Sequence, residues 1–163
     1  MKNFIFMLMI LFSALYADTF QKGSIGLGIA VGGGSLTTNE GTKNYTIFGA
    51  NADYFFADDI SLGVGYMHWS GDTPSISQVT IPLNYYIPLD KTYTPYLGVF
   101  YRYTSMGTPY SDYSSYGAKA GIAMKVSKKL YLGAGWVQEY YGDCSNFKEC
   151  STGYPELLLI FTF

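Results

Sequence analysis

From residue 24 to its end the chain alternates between two kinds of side chain with a period of two, over eight separate stretches. Such alternation marks β-strands, whose successive side chains point to opposite faces. The constraint on the fold lies in which residues share a face. Ile25, Leu27, Ile29 and Val31 fall together in the first stretch, and Leu62, Val64 and Tyr66 in the third. The opposite face holds Ser, Gly and Ala, together with the charges Asp53, Arg102, Lys119, Lys125, Glu139 and Glu156. A soluble sandwich or ligand-binding barrel turns its bulky aliphatics inward and its charges outward. Here charges sit with glycines, so the narrow inside of a barrel is polar and the outside apolar. That inversion suits a sheet closed on itself and surrounded by lipid.

The stretches cover residues 24–32, 45–56, 60–69, 76–87, 93–103, 116–126, 130–140 and 154–163. The turns at 57–59, 88–92 and 127–129 are short, whereas 33–44, 70–74, 104–115 and 141–153 read as loops. The predicted fold is all-β: an eight-stranded antiparallel transmembrane barrel with short turns and both termini on one side of the membrane. On the outward parity, Tyr54, Phe56, Tyr85, Tyr93, Phe161 and Phe163 mark the short-turn end. Tyr66, Tyr101, Tyr103, Tyr116 and Tyr140 mark the other. Two aromatic girdles around an aliphatic belt are what amphipathic rings favour at two lipid–water boundaries.

The start of the chain reads differently. Lys2 followed by an apolar run to Leu15 and Ala14-Leu15-Tyr16-Ala17 resembles a cleavable signal peptide over residues 1–17, leaving residues 18–163 as the barrel domain. A formal charge of −2 with 13% charged residues offers no basic surface for nucleic acid. Cys144 and Cys150 lie in a chain bound for an oxidising compartment, where a disulfide is the default. Closing so short a loop is worth roughly 2 kcal/mol.

The last stretch, Tyr154 to Phe163, ends on an aromatic residue after the apolar series Pro155, Leu157, Leu159, Phe161. On that strand and the eight parities, the chain resembles the small eight-stranded bacterial outer-membrane barrels, the group of the OmpA membrane domain, OmpX and the neisserial surface barrels. The resemblance implies a monomer in the bacterial outer membrane, in contact with its lipid and lipopolysaccharide. It also implies that Phe163 is part of the signal read by the barrel-assembly machinery.

Several features could carry chemistry. Arg102, Lys119, Glu139 and Glu156 fall toward the long-loop ends, and Lys125 and Asp53 toward the short-turn ends. Opposite signs at one height predict ion pairs, because an unpaired charge in a tight lumen costs several kcal/mol. They read as a plug, with a selectivity filter as the competing reading, since eight strands leave only enough width for side chains. His68 and Ser70 form an H-x-S pair on the outward face, the arrangement a lipid-modifying barrel enzyme would need, but no acid is placed to orient the imidazole. Pro82, Pro95 and Pro155 each remove a ladder donor, and pairing through the 88–92 turn places Pro82 opposite Gly98 as a candidate lateral gate for small hydrophobic solutes. No metal-ligand cluster, phosphate loop or G-x-S-x-G is present in the sequence, so no cofactor and no enzyme activity are expected. The remaining expectation is a structural or surface-binding barrel. Its loop at 104–115, rich in Tyr and Ser, would meet an extracellular ligand or surface partner.

Overall fold

The computed structural model describes residues 20–38, 41–89, 92–107, 110–142 and 149–163. Eight strands close into an antiparallel barrel in chain order. They are β1 (Ile25–Thr38), β2 (Gly41–Ala57), β3 (Ile60–Gly71), β4 (Ile76–Tyr86), β5 (Tyr93–Met106), β6 (Tyr113–Ser127), β7 (Leu130–Tyr141) and β8 (Ser151–Thr162). Residues 1–17, and the cleavage expected after them, lie outside the described residues.

The outward face is a continuous apolar belt. Leu27, Ile29, Leu62, Val64, Ile81, Leu83, Leu97, Val99, Ile122 and Leu132 are all exposed, and Tyr54, Tyr93, Tyr66, Tyr101 and Tyr116 border them. A transmembrane strand needs about 9–11 residues. β2 has 17, β6 has 15 and β5 has 14, so these hairpins stand well clear of the belt.

This corrects two loop assignments. Most of residues 33–44 and half of 104–115 belong to strands: β1 pairs with β2 out to Thr38–Gly41, and β5 with β6 out to Thr104–Tyr113. Above an apolar belt the outward face no longer needs aliphatic residues. The alternation therefore disappears from the sequence while the backbone ladder continues.

Inside, large side chains rest on glycines of neighbouring strands. Tyr96, 1% exposed, lies across Gly121 and Gly135, where any Cβ would collide with its ring or hydroxyl. The short-turn end is closed by Phe20, Phe55, Tyr86, Tyr96, Tyr131 and Ile160. Phe20 precedes β1 and lies outside every alternating stretch. Its ring stacks on Tyr86 with centroids 4.3 Å apart and tilts against Tyr131 at 4.7 Å. Backbone bonds from Gly23 N to Phe55 O and from Asp59 N to Phe20 O, both 2.7 Å, hold it across the opening.

Candidate functional site: the lumen and its outer mouth

Two ionic layers fill the lumen above the aromatic floor. In the upper one, Arg102 Nη1 donates to Glu139 Oε2 at 2.6 Å and to Tyr154 OH at 2.8 Å, while its Nε donates to Thr80 Oγ1 at 3.0 Å. Ser115 donates to the other Glu139 oxygen, and the Tyr154 hydroxyl donates to Glu139 Oε2 at 3.1 Å. Both ions are buried. Multiple hydrogen bonds are what such a pair needs to offset its desolvation.

The lower layer joins Lys119 Nζ to Glu156 Oε2 at 3.5 Å, with Tyr96 OH donating to Glu156 Oε1 at 3.0 Å. Asp53 lies within the electrostatic reach of Lys119 and Glu156. Its carboxylate accepts from Asn51, and from Asn84 Nδ2 at 3.4 Å. A cavity of about 100 Å³ opens between the layers and the floor, with Met67, Pro82, Phe100, Val137 and Leu158 on its apolar side.

From the sequence, four of the charges are expected at one height, with Lys125 against Asp53. The structure separates the four into two layers and parts the last two. Lys125 lies over the Tyr131 ring at 5.9 Å. Strand tilt in a closed barrel shifts register around the wall, so residues equally far from a turn do not share a height.

The proline seam also moves. β4 and β5 pair without interruption from Ile76–Met106 to Tyr86–Tyr96, and Pro82 faces Phe100 rather than Gly98. Pro95 pairs with Ile122 of β6. The lapse is on the other side of β4, where the pairs stop at Leu62–Leu83 and resume at Gly65–Thr80. His68 does not meet Ser70. Its Nδ1 lies 3.1 Å from Ser77 Oγ across the β3–β4 pair, and Tyr66 OH approaches the same hydroxyl at 3.2 Å. The ladder pairs His68 with Ser77 and Trp69 with Ile76, so the flanking N–H groups belong to the sheet and form no oxyanion hole.

At the outer mouth, Lys43 Nζ donates to Thr73 O at 2.7 Å and to Tyr110 OH at 3.2 Å, tying three hairpins together. Asp72 Oδ2 accepts from Asn44 N at 2.8 Å. Asp112 caps the β5–β6 hairpin by accepting from Met106 N at 2.9 Å, Tyr103 OH at 2.8 Å and Ser105 Oγ at 3.1 Å. Those donors, the Met106 N–H foremost, hold its carboxyl below the usual carboxylate range. A depressed folded-state pKa contributes stability above the unfolded value and loses it as pH falls through the folded one. The Met106 amide resonance is therefore expected to stay unchanged on mild acidification and to shift only below the ordinary carboxylate range. Asp112→Asn should abolish that transition. Cys144 lies outside the described residues, so its bridge to Cys150 stays an expectation. The Cys150 carbonyl accepts from Tyr141 N at 2.9 Å.

With this geometry in place, solved structures of the same shape are informative. The N-terminal β-barrel domain of Pseudomonas aeruginosa OprF superposes with a TM-score of 0.64 at 14% identity, covering 87% of this chain and 98% of that one. The chain has the fold of the small outer-membrane barrels. Neisserial surface protein A agrees, with a TM-score of 0.63 at 18% identity over 86% of this chain and 96% of its own. Neither a family model nor a curated protein matches the sequence. At such identities the likeness concerns the eight-stranded architecture and carries no residue roles.

Proposed function

We propose that the chain is an integral protein of a bacterial outer membrane, with a lumen that works as a structural plug and a mouth that meets partners outside the cell. The observation that carries this reading is the pairing of an apolar, aromatic-bordered exterior with an interior blocked by two ionic layers and an aromatic floor. The exterior needs lipid around it. Between these blocks the interior leaves a space of only a few water volumes. Planar-bilayer recordings of the purified barrel are expected to show no steady channels, and well-resolved openings in the wild type would revive a pore.

The mouth offers Tyr110 and Tyr113 among Ser, Gly and Asp on hairpins that the Lys43 contacts hold together. Tyrosine gives contact area at low entropic cost, and small polar residues adapt around it. Thr104 and Ser115 are buried in the wall, so the exchangeable tip is 107–112. Replacing that tip with a Gly/Ser linker should leave assembly intact and abolish attachment of cells to host or neighbouring surfaces. Full attachment by the variant would assign the mouth no binding role. His68 and Ser77 are read as interfacial polar residues, and lipid A of unchanged mass in cells with and without the protein is the corresponding expectation.

A further inference from the structure

The seam that closes the barrel is also its shortest ladder. β1 and β8 pair at Gly26–Thr162, Leu27–Phe161, Gly28–Ile160 and Ile29–Leu159. Reciprocal bonds of 2.9 Å between Ile25 and Phe163 extend the ladder at the short-turn end. Beyond Ile29–Leu159, no pair joins the described residues of the two strands. Yet β1 continues to Thr38 against β2, and β8 is paired with β7 up to Ser151.

The sequence supplies the cause. The Ile25–Phe163 bonds set the odd-numbered residues of β8 as those whose backbone groups point toward β1. Pro155 belongs to that series and has no N–H to give. Continuing the register would place it opposite Gly33, the centre of Gly32-Gly33-Gly34, where no side chain exists to form a cross-strand contact. A missing donor facing a glycine run leaves little to draw these edges together.

The two proline lapses differ in extent. At Pro82 the ladder resumes after two residues, and the flanking Val64 and Ile81 are 55% and 50% exposed, like the rest of the belt. At the closing seam, Val31 and Leu157 reach 67% and 72%, because each lacks a neighbour on one side. Leu158, the first β8 residue past the last pair, lines the lumen cavity beside Met67, Phe100 and Val137. The unpaired stretch thus has Val31 and Leu157 on its membrane side and Leu158, which lines the cavity, on its inner side.

We propose that the outer half of the β1–β8 seam is a lateral port that takes an alkyl chain of an outer-leaflet amphiphile, with the chain end entering the cavity at Leu158. The port rests on the membrane placement proposed above but not on the mouth as a binding surface. A cavity of about 100 Å³ is smaller than the apolar cavity of about 150 Å³ that accepts benzene, so it holds a chain terminus and not a whole chain. The polar end of the amphiphile would sit at the open strand edges, whose N–H and C=O groups hydrocarbon cannot satisfy.

The probe is a palmitate analogue with a terminal diazirine, photolysed with the whole protein in bilayers and read by peptide mass spectrometry. Adducts are expected on the inward Glu156, Leu158 or Met67 as well as on the outward Val31 and Leu157. Pro155→Val, which restores the donor, should remove the inward adducts and keep the outward ones. Adducts confined to outward residues, or inward adducts unchanged in Pro155→Val, would overturn the port. Amide exchange in the wild type gives a second reading that needs no variant. The Leu157 amide should exchange at least about tenfold faster than that of Leu159, and equal protection of the two would mean the seam is zipped.

Discussion

Replacing Glu139 by Leu is expected to destabilise the barrel by about 3–5 kcal/mol, because it leaves the Arg102 guanidinium buried without a counter-charge. Tyr154 and Thr80 would still accept from Arg102, but a hydroxyl cannot offset the desolvation of a full charge. Adding Arg102→Met to the same chain should recover most of the loss, since an apolar pair of similar volume needs no compensation. Urea unfolding from lipid vesicles, followed by the fluorescence of Trp69 and Trp136, measures both. A loss below about 1 kcal/mol for the single variant would show that water reaches this layer and that the pair behaves like a surface one.

Tyr96→Ala should be comparably costly, about 3–5 kcal/mol on the scale of large-to-small core changes. Tyr96 is part of the aromatic floor and donates to Glu156. Removing it opens space over Gly121 and Gly135 within the floor itself. Small, flickering conductance should therefore appear in planar bilayers, where none is expected of the wild type. A silent variant would mean that the Arg102–Glu139 layer alone blocks the lumen.

The sequence carried the strand number and the inward and outward faces because both follow from a period of two within the belt. Ile60 to Trp69 and Leu130 to Tyr140 could be read almost to their ends. Residues 33–38 and 104–106 could not, since a strand wetted on both sides has no hydrophobic pattern to reveal it. The partners of single residues were hidden for another reason. Lys125, His68 and Pro82 depend on how far each strand slides past its neighbour, which is a property of closure around all eight strands. Tyr131 beneath Lys125 and Ser77 beside His68 emerge only once that slide is known. Phe20 lay before the first alternating stretch and left no periodic trace.

Phe20 has a bearing on the order of assembly. Its pocket is built from Phe55 at the end of β2, Tyr86 at the end of β4 and Tyr131 near the start of β7, so it exists only when nearly the whole chain is in place. A residue that precedes every strand is thus among the last able to find its site. A fluorophore attached just before it would act as a reporter of completion, dark to partly folded intermediates and responsive when the final strands arrive.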